Sequence, residues 1–173
     1  MKPSLLLGLC LLPGCLLAAE PTTPAADMPA SGHVMVRASS IQWGDAPPML
    51  PRGAQAAVLA GDPGKAGPFV IRIKAPAGYR VPRHWHPTEE QVTLLEGDLT
   101  LAMGDGAGAH SADFVPGDFV VLPMKMLHEA STRGGATLQI QSNGPFEINY
   151  VNPADDPRKQ APPEKQAKPE KKK

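Results

Sequence analysis

Short apolar runs, each closed by a turn, constrain this chain more than any other feature. Phe69, Ile71 and Ile73 alternate with Val70, Arg72 and Lys74, the period-two pattern of a strand with one buried face. Similar short runs are Ala56–Leu59, Val92–Leu95, Leu99–Met103, Phe119–Leu122, Thr137–Gln141 and Glu147–Val151. Between them stand Gly61-Asp62-Pro63-Gly64, Glu96-Gly97-Asp98, Gly104-Asp105-Gly106 and Val115-Pro116-Gly117-Asp118, all turn sequences. No stretch keeps apolar residues at helical spacing, and 17 glycines with 21 prolines in 173 residues leave little room for long helices. Many short strands with tight turns predict an all-β antiparallel sandwich or barrel. No repeat of solenoid or propeller period is present.

The two ends read differently. Met1–Ala19 has the layout of a secretory signal: Lys2, the apolar run Leu5–Leu12, and small residues Ala18-Ala19 before Glu20. Leu12-Pro13-Gly14-Cys15 also resembles a lipobox, with Cys15 as the lipidated residue. Proline before the glycine departs from that pattern, so ordinary cleavage and a periplasmic or secreted protein are the expectation. Both cysteines, Cys10 and Cys15, lie in this segment, so the cleaved chain has no disulfide, thiolate nucleophile or cysteine metal site. Residues 20–33 read as a flexible leader, residues 34–152 as the folded domain and residues 153–173, which have no large apolar side chain, as a disordered Pro/Lys-rich tail. The formal charge of +0 conceals an acidic domain: residues 20–157 carry 9 basic and 15 acidic side chains, net −6. That balance lacks the basic face nucleic-acid binding needs. The single apolar run at the N-terminus leaves no transmembrane span in the cleaved chain.

Three histidines fall where metal chemistry needs them. His84 and His86 flank Trp85, and on a strand positions i and i+2 share a face. Glu90 follows four residues on and offers a carboxylate oxygen. His128, beyond the Pro123 turn, can close the site from a facing strand. Three imidazoles and a carboxylate suit a divalent first-row ion (Fe, Mn, Zn, Ni or Cu) and leave a position open for water or substrate.

The frame around these residues resembles the cupin family. Gly78, five residues, His84-Trp85-His86, three residues, Glu90, six residues and Gly97 match the first cupin motif without a gap. Gly117, five residues, Pro123 and then His128 match the frame of the second, although Lys125 stands where the family usually has glycine and Thr132 where asparagine is common. The motifs span residues 78–132, and the strand pattern extends the likeness to about 34–151. Trp43-Gly44-Asp45-Ala46-Pro47-Pro48 and Val151-Asn152-Pro153-Ala154-Asp155-Asp156-Pro157 resemble a group of exported single-domain cupins of unassigned function. The resemblance implies a single jelly-roll, RmlC-like β-barrel holding metal through His84, His86, Glu90 and His128, and it allows a homodimer of single barrels. It implies no one chemistry, because cupins include dioxygenases, oxalate-degrading enzymes, isomerases, binding proteins and sensors.

Other residues receive weaker assignments. Glu89, Gln91 and Thr93 alternate out of phase with Glu90 and are expected at the surface. Tyr79 and Arg83 are expected as edge residues rather than substrate contacts. Lys125 either meets a substrate carboxylate or faces water. Met124 and Met126 are expected to pack. His33 and His110, in loop-like sequence, receive no role. The functional expectation is a metal-dependent oxidoreductase of the dioxygenase kind acting on a small molecule, with Glu90 as both ligand and catalytic base. The alternative is a non-catalytic small-molecule-binding or sensing cupin with a Zn site.

Overall fold

A computed structural model describes residues 32–160. The expected signal, most of the expected leader and residues 161–173 lie outside them. The described residues form eleven strands: β1 (Gly44–Asp45), β2 (Gln55–Ala60), β3 (Gly67–Ala75), β4 (Arg80–Trp85), β5 (Glu90–Gly97), β6 (Leu99–Met103), β7 (His110–Phe114), β8 (Phe119–Leu122), β9 (His128–Ser131), β10 (Ala136–Gly144) and β11 (Asn149–Tyr150). They build two antiparallel sheets, β1-β2-β3-β10-β5-β8 and β11-β4-β9-β6-β7. Helical structure among the described residues is limited to single 3₁₀ turns. No helix in this region is long and apolar enough to cross a membrane.

The core lies between the sheets and follows from alternation. Phe69, Ile71 and Ile73 are buried on β3, as the period-two pattern predicts, and Val92, Leu94, Leu122 and Ile140 continue that inner face. Leu99, Leu101 and Met103 on β6 face them from the second sheet. Fully burying one such side chain contributes about 1.5–3 kcal/mol, so these inward rows carry much of the barrel's stability.

Leu99–Met103 and Phe119–Leu122 have the bounds expected from the sequence, and the runs at 56–59, 92–95 and 137–141 lie inside longer strands. The run at 147–151 is mostly loop, with only Asn149–Tyr150 paired, to β4. Strands β4 and β9 escape the apolar pattern because His84 and His128 take inward places, and β7 because only its Ala112 and Phe114 are apolar. His110 in consequence begins β7, paired with Met103, rather than lying in a loop.

The expected start of the tail at Pro153 is also corrected. Residues 153–155 and 157–159 form 3₁₀ turns capped by Asn152 and Asp156. Asp156 is buried and accepts from the Arg158 guanidinium at 2.8 and 2.9 Å, while Arg158 Nη2 also donates to the Ile148 carbonyl at 3.0 Å. Polar capping, not apolar burial, orders this segment, so a search for large apolar side chains passes over it.

Candidate metal centre

The site begins with a fault in the β4–β9 ladder. Val81 pairs with Ala130 and His84 with His128, so β4 carries one more residue than β9 between these pairs. The extra residue falls at Pro82-Arg83, where proline has no N–H to give the ladder. Simple alternation from Val81 would turn Arg83 inward and His84 outward. The bulge restores the inward face to His84, while Arg83 donates to the Gly104 carbonyl instead. His86 lies one residue past the strand, held by the Lys125 N–H on its carbonyl at 2.8 Å. Its ring stacks on Phe146 at 4.5 Å and 17°. Glu90 opens β5 and shares the inner face with Val92 and Leu94.

All four side chains are buried, each 5% exposed or less. The three histidines bring ligand atoms within 4.8 Å of one another. Glu90 Oε2 lies 3.4 Å from both His86 Nε2 and His128 Nε2.

The hydrogen bonds assign the tautomers. His84 Nδ1 meets the Pro82 carbonyl at 2.7 Å, His86 Nδ1 the Glu147 carbonyl at 2.7 Å and His128 Nδ1 the Met126 carbonyl at 3.0 Å. A carbonyl oxygen only accepts, so each Nδ1 carries the proton and each ring, when neutral, presents its Nε2 lone pair. Two of those lone pairs face the Glu90 carboxylate, and His86 Nε2 is buried without a hydrogen-bond partner. Lone pairs set against an anion in a dry interior repel unless a cation or proton lies between them. Three buried imidazoles with backbone-fixed tautomers therefore fit a divalent ion, as ligating histidines normally spend their second nitrogen on such a bond.

The same contacts set the ionisation. Burial drives His84 down to about 3, with the neighbouring imidazoles of His128 and His86 adding to the effect. Burial pulls His86 the same way, but the Glu90 carboxylate outweighs it and holds that imidazole above its ordinary value. Burial likewise opposes the Glu90 carboxylate, yet the facing imidazoles of His128 and His86 hold it well below the usual carboxylate range.

A cavity of about 80 Å³ adjoins the four side chains. Its other walls are largely aliphatic, including Ile71, Leu101 and Leu122, with Tyr79, Ser131 and Thr132 the remaining polar residues.

The model of a family described as a domain of unknown function, DUF4437, matches residues 20–149. The chain belongs to the DUF4437 family. Its fold is that of the cupins. An RmlC-like cupin from Shewanella frigidimarina superposes with a TM-score of 0.52 at 15% identity, covering 65% of this chain and 91% of the other. The polyketide cyclase RemF from Streptomyces resistomycificus gives 0.57 at 16% identity, covering 71% and 88%. Bacillus subtilis oxalate decarboxylase, a protein with Mn(II) centers, gives 0.53 at 18% identity, covering 72% of this chain and 34% of its own. Among curated proteins none matches the sequence.

In this DUF4437 protein the four residues picked out by spacing stand together, and their neighbours lie apart from them in different ways. Glu89 is exposed, and Gln91 and Thr93 occupy the outer positions of β5. Lys125 is exposed and Arg83 is tied to Gly104, so neither lines the cavity. Met126 packs on the core, whereas Met124 is 61% exposed and does not pack as expected. Tyr79 is a correction: it is no edge residue but buried, lining the cavity and donating to the Pro51 carbonyl at 2.5 Å. Sequence reasoning missed Leu50, Phe146 and Tyr150. Leu50 and Phe146 line the cavity, and Tyr150 pairs with His84 across β11 and β4. Only Tyr150 had a signal, as the aromatic of a short expected strand.

Proposed function

We propose that this cupin is a metal-dependent oxidoreductase of the dioxygenase kind, acting on a small molecule held in the apolar cavity. His84, His86 and His128 hold the ion through Nε2, and Glu90 supplies a carboxylate oxygen. The single observation that carries the metal centre is the commitment of all three Nδ1–H groups to backbone carbonyls, which leaves three clustered Nε2 lone pairs, two of them 3.4 Å from the Glu90 carboxylate. The Mn(II) centers of the oxalate decarboxylase that shares the fold support a redox-active ion such as Mn or Fe. Such an ion supplies one-electron chemistry and a site for dioxygen and substrate.

The chain's own residues do the rest. The carbonyls of Pro82, Glu147 and Met126 fix the imidazole planes, so the donor set is organised before anything binds. The aliphatic walls and Phe146 exclude water and favour apolar partners, dioxygen included. Glu90 can move off the ion as a base, since a carboxylate both ligates and accepts a proton. Export through Met1–Ala19 to the periplasm or medium belongs to the same proposal.

The test is metal analysis of protein purified from its native compartment, followed by oxygen-uptake screening of the Fe- and Mn-loaded forms. Redox-inert Zn at full occupancy, with no uptake after exchange to Fe or Mn, would overturn the oxidoreductase assignment in favour of a binding or sensing cupin.

A further inference from the structure

The cavity beside the metal centre has a chemical signature of its own. Among the described residues that line it there is no lysine or arginine, and Glu90 is the sole acid. A divalent ion with neutral histidines and one carboxylate leaves a single net positive charge. One monoanionic head group would neutralise it. A second carboxylate on the same ligand would enter an aliphatic chamber with no cation to meet it.

The length of the chamber is set by one residue. Leu50 lines the inner cavity and also a separate outer pocket of about 600 Å³ formed by residues such as Asp45, Arg52 and Gln55. No other residue lines both. The backbone on either side of Leu50 is tied down from within the barrel. Tyr150 Oη donates to the Met49 carbonyl at 2.8 Å, and Tyr79 Oη donates to the Pro51 carbonyl at 2.5 Å. Both hydroxyls come from the wall around the histidines, since Tyr79 lines the cavity and the Tyr150 ring lies 5.8 Å from that of His84. Two hydrogen bonds on adjacent flanks of one leucine hold that side chain as a stopper between the chambers.

We propose that the ligand of this site is a short, single-headed monoanion with an apolar body, and that Leu50, held by Tyr79 and Tyr150, sets the longest body accepted. This rests on the metal centre proposed above. The probes are acetate, butanoate, octanoate and succinate, titrated into Co(II)-loaded protein and followed by the ligand-field absorption of cobalt. Butanoate should bind more tightly than acetate by up to about fourfold per buried methylene. It should also bind at least about tenfold more tightly than succinate, because the second carboxylate is buried unpaired. Octanoate should bind more weakly than butanoate to the wild type. Leu50→Ala should reverse that order by joining the two chambers. The Tyr79→Phe/Tyr150→Phe double variant keeps the leucine and both rings but unties the segment, so it should shift octanoate affinity the same way by a smaller factor. Equal affinity for succinate and butanoate, or octanoate bound by the wild type as well as butanoate, would overturn the inference. So would an unchanged length preference in both variants while cobalt remains bound. Failure of cobalt to bind at all would overturn the metal centre and this inference with it.

Discussion

Protonation of His84 should govern how the metal-free barrel responds to acid. The imidazole is buried between two others, and its ionisation falls from about 6.5 in the unfolded chain to about 3 in the fold. A depressed value means that the unfolded chain binds the proton first as pH falls. Stability from keeping His84 neutral is therefore complete above pH 6.5 and is lost progressively between 6.5 and about 3. Each full pH step inside that window costs about 1.4 kcal/mol, so at pH 5 the loss from this group is about 2 kcal/mol. His86 works in the opposite sense, because its value is raised, and its contribution disappears as pH rises through the folded value. Comparison of wild type with His84→Gln, which cannot titrate, separates the two. Urea unfolding in excess chelator at pH 7.5 and pH 5 should show the wild type losing about 2 kcal/mol more than the variant. Equal losses, or a larger loss in the variant, would refute the burial of a neutral imidazole at this position.

Other outcomes follow from single residues. His86→Ala should lower Co(II) or Mn(II) affinity at least about tenfold, by equilibrium dialysis, since it removes one of four donors; an unchanged affinity would place the ion elsewhere. Metal uptake near pH 6 should release protons, measured in weak buffer, because His86 is held in its protonated form by Glu90. Gly97 has φ +85, and a Cβ there would stand 1.9 Å from the Gly135 carbonyl oxygen, whereas Gly78 has φ +75 with open space around it. Gly97→Ala should cost about 3 kcal/mol or more and Gly78→Ala only about 1–2, by chemical denaturation. Lys125 holds φ 63, so Lys125→Gly should stabilise the barrel by about 0.5–1 kcal/mol, read as a rise in the denaturation midpoint.

The sequence by itself determined the class of fold and nominated the four residues that the fold brings together. Alternation at Phe69, Ile71 and Ile73 can bury one face only as a strand. The motif glycines mark turns with positive φ, as Gly78, Gly97 and Gly117 show. Lys125, where the cupin motif usually has glycine, has positive φ as well, so the turn there has the backbone that glycine would adopt. Spacing nominated His84, His86, Glu90 and His128 because ligands i and i+2 share a face of a strand.

What spacing does not contain is the bulge at Pro82-Arg83, without which alternation from Val81 would send His84 outward. Nor does it contain the carbonyls of Pro82, Glu147 and Met126 that choose the tautomers, since Glu147 is 61 residues from the ring it orients. Leu50 was equally out of reach. A leucine between Met49 and Pro51 reads as an ordinary loop residue until two tyrosine hydroxyls bond the carbonyls beside it, from 28 and 101 residues away. Local pattern fixes which face a residue shows to its own strand. Which groups then meet across the barrel is decided by register and by long-range hydrogen bonds, and those exist only once both sheets have closed on their core.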